Sequence, residues 1–141
     1  VLILIGVGPL ENELKKKVLN LHLQEKVIFL GLRDDISELL QAMDVFVFPS
    51  LWEGLGVAVV EAQATGIPCV ISDVIPEEVD INANLVQMLS LDKPASAWAD
   101  KISEVKISNR HSKQLEVVES GYDIISTANW LQDFYLKKVT E

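Results

Sequence analysis

Apolar residues along this chain come in short unbroken runs separated by segments of helical period, and that alternation sets the fold before any single residue is considered. Val1 to Ile5 is a continuous apolar run that ends at Gly6 and Gly8. Pro9 then precedes ENELKKKVLNLHL, where Leu14, Val18 and Leu21 recur at helical spacing. The unit repeats: VIFLG leads through LRDD into ISELLQAM, and VFVFPS leads through LWEGLG into VAVVEAQATG. Residues Cys69 to Asp73, CVISD, supply a fourth strand. Unbroken runs, as opposed to alternating ones, predict parallel strands covered by helices on both faces.

Beyond Asp73 the pattern weakens. VIPEEV predicts a connector or single helical turn, LVQMLSL a further strand, and DKPASAWADKISEV a loop followed by a helix. The polar stretch from Asn109 to Ser120 carries Leu115 and Val118 and is followed by Tyr122. Between Ser126 and Val139, the residues Leu131, Phe134, Tyr135 and Val139 fall near one helical side. A helical tail closing against the sheet is therefore expected, with Trp98, Trp130 and Tyr135 packed in the core or, as the alternative, forming a partner surface. The whole reads as one α/β domain spanning 1–141, with no internal linker, solenoid repeat or coiled-coil heptad.

Composition narrows the function. With 141 residues, 49% of them hydrophobic, the chain can bury a core without disulfides or metal. Twelve basic against 21 acidic residues give a formal net charge of −9, which repels nucleic acid and anionic lipid. Cys69 is a lone cysteine in an apolar run and reads as a small core side chain, which fits a reducing, cytoplasmic setting. The opening run has five apolar residues before glycine, too few for a signal-peptide core or a membrane span.

His22 and His111 have no partners at metal-ligand spacing. Ser50 follows a strand but lies in PSLWE, without the elbow of a serine hydrolase. GVGP lacks both the P-loop lysine and the full dinucleotide fingerprint.

The stretch FPSLWEGLGVAVVEAQATGIPCVISD is different. It places Gly54, Leu55 and Gly56 at the carboxyl end of a strand and the start of a helix, where ligands of open parallel sheets gather. Glycines there let successive N–H groups converge on an anion such as a diphosphate. Glu53 precedes the turn and Glu61 sits inside the helix, a spacing unlike an i,i+4 pair. Carboxylates repel phosphate but accept from vicinal hydroxyls, so the combination suits phosphates held between two sugars. A plainer alternative stands beside it: EGLG is only a tight turn, Glu53 offsets the helix dipole, and Glu61 is a solvated helix residue.

Glu53 and Glu61 in EGLGVAVVE form an E-x7-E motif, preceded in order by GVGPLENELKK and FLGLRDDISELLQAMDVF. Together these motifs strongly resemble the C-terminal nucleotide-sugar-binding domain of retaining glycosyltransferases of GT-B architecture, glycosyltransferase family 4, also called glycosyl transferases group 1. The match is close over Leu2 to Ile75 and holds in outline beyond. The resemblance implies a Rossmann-like, doubly wound parallel sheet forming the C-terminal half of a GT-B enzyme. It further implies that Glu61 accepts from the donor ribose, that the amides around Gly54, Leu55 and Gly56 meet the diphosphate, and that Glu53 holds hydroxyls of the transferred sugar. Through that contact Glu53 is the candidate catalytic residue, in preference to a role as nucleophile or general base. Leu32 and Arg33 would supply backbone contacts to the base, with Arg33 as a side chain better read as salt-bridged in its RDD turn. Leu39 and Leu40 would lie along the nucleotide. Trp52 replaces the phenylalanine or tyrosine common in this loop.

The same resemblance implies that the donor is a substrate and no cofactor is needed. It also implies that an N-terminal acceptor domain, and a first strand followed by an arginine and a lysine, precede the portion matched here. In sheet order 3-2-1-4-5-6 that strand would lie between VLILI and VFVFPS. The expected vacancy would be filled by LVQMLSL, a partner chain in a homo-oligomer, or the rest of the parent. The parent would act on cell-surface polysaccharide or glycolipid, associated with the inner membrane face, while the isolated chain would show little activity. Two other functions remain: a non-catalytic nucleotide-binding module, and a domain related to sugar-nucleotide epimerases.

Overall fold

The computed structural model describes residues 1–105 and 110–139. Its strands form where the apolar runs lie: β1 (Leu2–Ile5), β2 (Val27–Gly31), β3 (Phe46–Phe48), β4 (Cys69–Ser72) and β5 (Val86–Leu89). Between and after them come α1 (Glu11–Asn20), α2 (Ile36–Ala42), α3 (Val57–Ala64), a 3-10 turn at Glu77–Val79, α4 (Ala95–Glu104), α5 (Gln114–Glu119) and α6 (Ile124–Val139). Every strand pairing is parallel, which the βα alternation requires. This is a Rossmann-like α/β fold, organised as two compact units, 1–36 and 37–141.

In the first unit β1 pairs with β2, and the Gly6 amide extends the ladder by donating to the Gly31 carbonyl at 2.7 Å. Helix α1 carries Glu11 and Glu13 in its first turn and Lys17 in its last, each sign placed where the helix dipole favours it. No α1 side chain is fully buried, and Leu14 and Leu21 stay exposed. Leu2, Ile5 and Ile28 are exposed as well.

In the second unit the order is β3-β4-β5. Cys69 stands opposite Phe46 on one side and Val86 on the other. The central strand β4 is buried at all four positions, as an unbroken apolar run predicts. Helix α3 packs on β3, β4 and α5, burying Val59, Val60, Ala62 and Gln63. Each buried valine of this kind contributes about 1.5–3 kcal/mol relative to exposure. The helix stops in a Schellman arrangement: Gly66, at φ +77°, donates to the Gln63 carbonyl at 2.8 Å, and Ile67 donates to that of Ala62 at 3.4 Å. The Lys113 amide occupies the next orphan carbonyl, that of Ala64, at 3.0 Å.

Two expectations need correction. LVQMLSL does form a strand, but β5 extends the sheet on the far side of β4 and leaves the outer edge of β3 without a strand partner among the described residues. It therefore does not fill the vacancy. The tail is helical, yet Trp130 and Tyr135 are exposed, not core. They cluster with Phe134 on α6 itself, through a stacked pair with centroids 5.5 Å apart and an edge-on pair at the same distance. Helical period told where a helix forms and not what covers its apolar side. Trp98 is half-buried; Asn109 and the side chain of Val139 lie outside the described residues.

Candidate functional site

The loop between β3 and α3 begins where the parallel strands end. Ser72, the buried last residue of β4, donates its hydroxyl to the Ser50 carbonyl, which ties the loop to the sheet. Ser50 Oγ in turn lies 2.8 Å from Glu53 Oε1 and 3.0 Å from the Trp52 carbonyl. Gly56 caps α3 in the left-handed region, φ 83° and ψ 47°, with no side chain bonded across the helix start. It rests on Ile75 and Val79, which are buried: a Cβ added there would meet Ile75 Cγ2 at 3.4 Å and Val79 Cγ1 at 3.5 Å. Space would allow the extra carbon, whereas the positive φ disfavours it.

Among the described residues, none of the N–H groups of Gly54, Leu55, Gly56, Val57 and Ala58 donates to an acceptor in the protein. These five consecutive donors lie at the positive end of a helix of eight residues. Glu53 does not cap them. Its side chain is half-buried and bends back over the helix start, with Cγ 3.9 Å from the point where a Gly56 Cβ would stand, and its carboxylate is held by Ser50. Glu61 is exposed on α3, one turn on from exposed Val57, and no cation among the described residues pairs with it. Its exposure is what the plainer alternative of a solvated helix residue predicts. What stands is an unpaired carboxylate one helical turn beyond a run of free donors.

The other predicted residues divide. Leu32 is exposed at the end of β2. Arg33 makes a two-pronged ion pair with Asp35, Nε to Oδ1 at 2.8 Å and Nη2 to Oδ2 at 2.5 Å, and this hydrogen bonding lowers the Asp35 carboxyl below its usual value. Both belong to the 1–36 unit. In α2, Leu39 is half-buried but Leu40 is 3% exposed. Of that pair only Leu39 has side-chain surface to offer a ligand. The Leu40 carbonyl accepts from Arg110 Nη1 at 3.2 Å, a purely structural contact.

Three residues that serve the loop were not singled out as its supports. Ser50 and Ser72 fix its path, and Gln63 braces its floor. The Gln63 amide is fully buried in α3; Nε2 donates to the carbonyls of Val79 at 2.7 Å and Val59 at 3.2 Å, and Oε1 accepts from the Ile81 amide at 3.3 Å. A polar residue amid the small apolar side chains of VAVVEAQA was the available signal. Among the described residues, no three His, Cys, Asp or Glu side chains gather as a metal site would require, and no helix is long and apolar enough to cross a membrane.

The family model for glycosyl transferases group 1 matches residues 1–122. The EpsF protein of Bacillus subtilis (strain 168), named as a glycosyltransferase, is 42% identical over 137 residues, which is 95% of this chain and 36% of that protein. The UDP-Gal:alpha-D-GlcNAc-diphosphoundecaprenol alpha-1,3-galactosyltransferase of Escherichia coli is 33% identical over 147 residues, 99% of this chain and 37% of its own length. The lipopolysaccharide core biosynthesis mannosyltransferase LpsB of Rhizobium meliloti (strain 1021) is 42% identical over 72 residues, 49% of this chain and 20% of LpsB. The chain thus spans little more than a third of the length of the first two.

Proposed function

This chain belongs to the glycosyl transferases group 1, and from that membership we propose that it is, over its whole length, the donor-binding domain of a retaining glycosyltransferase that moves a sugar from a nucleotide-sugar to an acceptor. The observation that carries the proposal is the run of N–H groups from Gly54 to Ala58, unengaged among the described residues and bordered by Glu53 and Glu61, which have no cationic partner there. Such donors suit the diphosphate of a leaving nucleotide, whose charge grows as the glycosidic bond breaks. The helix dipole adds only about 0.3–1 kcal/mol at an exposed terminus, so directed hydrogen bonds carry most of the affinity.

In this assignment Glu61 accepts from the ribose hydroxyls, and Glu53 holds hydroxyls of the transferred sugar beside its reacting carbon. Leu39 lies along the nucleotide. The donor is a substrate, and no cofactor or metal takes part. The acceptor binds a second domain elsewhere in the whole polypeptide, and closure between the two excludes water. The Escherichia coli relative is named for a UDP-sugar donor and a lipid-linked acceptor, and LpsB for lipopolysaccharide assembly. These names support a role in cell-surface polysaccharide or glycolipid synthesis at the cytoplasmic membrane face.

Isothermal titration of the 141-residue chain with UDP, GDP, ADP and their sugar conjugates tests the proposal. Saturable binding of one diphosphate series is expected, abolished or weakened by Glu61→Ala. Absence of binding across the panel by a folded chain overturns the donor-site assignment.

A further inference from the structure

We infer that Ser50 is a positioning residue that holds the Glu53 carboxylate in the orientation used to grip the sugar, an inference that rests on the donor-site assignment above. Its hydroxyl carries one proton and has two acceptors in reach, Glu53 Oε1 at 2.8 Å and the Trp52 carbonyl at 3.0 Å. The ionised carboxylate is the closer, and bonds to charged acceptors are roughly twice as strong as neutral ones, so the proton goes to Glu53. No other side chain among the described residues donates to that carboxylate. One oxygen is thereby engaged, which orients Oε2 for a ligand hydroxyl.

Ser50 can do this because its own backbone is anchored. The buried Ser72 hydroxyl at the end of β4 donates to the Ser50 carbonyl, so the orientation of Glu53 is referred, through two hydroxyls, to the central strand of the sheet. A glutamate has three rotatable bonds, and leaving it to search them costs rotamer entropy on every binding event. Fixing it beforehand is the preorganisation that a hydroxyl-reading site needs.

Two measurements on the 141-residue chain decide the matter. Without ligand, three-bond NMR couplings should report one dominant Glu53 side-chain rotamer in the wild type and in Ser50→Thr, and averaging in Ser50→Ala. A single rotamer in Ser50→Ala overturns the inference whatever the chain binds. With ligand, calorimetry using UDP, UDP-glucose and UDP-galactose, and the corresponding GDP and ADP conjugates, separates the sugar from the nucleotide. Ser50→Ala should cut the preference for a nucleotide-sugar over its bare diphosphate by about five- to tenfold, within the range for immobilising one rotamer-rich side chain on binding. Ser50→Thr should retain it, and in a Glu53→Ala background Ser50→Ala should change nothing further. Equal weakening of diphosphate and sugar conjugate, or an additive effect on Glu53→Ala, points to a general loop defect and overturns the positioning role. No binding of any conjugate by the wild type removes the donor-site assignment, while the rotamer result still decides whether Ser50 controls Glu53.

Discussion

The backbone carbonyl oxygen of His111 lies 2.5 Å from the point where a Cβ on Gly66 would stand. Gly66 also sits at φ +77°, so the end of α3 excludes a side chain by conformation and by contact at once. Gly66→Ala should destabilise the fold by about 2–5 kcal/mol, the sum of a left-handed alanine and an overpacked contact. Gly121, at φ +80° with open space around it, isolates the first effect: Gly121→Ala should cost only about 1–2 kcal/mol. Urea unfolding of both variants measures the difference.

Gln63 predicts a second stability effect. Gln63→Leu keeps the volume but leaves the Val79 carbonyl and the Ile81 amide, its two partners outside α3, without bonds in a buried place. At about 1–3 kcal/mol for each group stranded, the unfolding free energy should drop by roughly 2–6 kcal/mol. Because Val79 supports Gly56, whose carbonyl accepts from the Val59 amide at 2.9 Å, amide exchange at Val59 should quicken as well, which hydrogen-exchange NMR would detect.

Glu61 should behave in the opposite way. It is exposed and outside every ion pair described, so Glu61→Gln and Glu61→Ala should leave the urea midpoint close to that of the wild type. Binding of a nucleoside diphosphate should nonetheless weaken by about 1–3 kcal/mol. Unchanged affinity in the titration would remove Glu61 from the site.

Cys69 links stability to alkaline pH. Burial, with a smaller contribution from the nearby Asp80 charge, pushes its thiol up to about 12, whereas an unfolded thiol ionises near about 8.5. The folded state thus holds the proton longer. This group's contribution is complete below about pH 8.5 and declines by up to about 1.4 kcal/mol per pH unit until the folded thiol itself ionises. Comparing urea midpoints of the wild type and Cys69→Ala at pH 8, 9 and 10 should show the gap between them narrowing as pH rises. Alkylation of Cys69 at pH 8 should proceed only at the rate of unfolding.

Much of this organisation is legible in the residue pattern, for identifiable reasons. Apolar runs located β1 to β5 because a strand buried on both faces needs nothing else, and β4 is the clearest instance. Glycine at the ends of α3 and the two flanking glutamates located the loop because positive φ and free amides leave few residue choices. What stayed hidden depends on the path of the chain. Whether Ser50 Oγ reaches Glu53 is set by a four-residue loop conformation, and whether Gln63 meets Val79 depends on residues 16 positions apart. The partner of β5 and the exposure of Trp130 escaped for the same reason: periodicity describes one element at a time.

Trp52 stands between Ser50 and Glu53 and is 81% exposed. The loop between β3 and α3 therefore carries its own fluorophore, placed where a ligand of the proposed site would quench or blue-shift it. Trp130 is largely exposed too and Trp98 half-buried, so unfolding should change the wavelength of native emission little. Optical changes on titration would then originate at the loop, and a chain with Trp98 and Trp130 replaced by phenylalanine would report occupancy from a single indole.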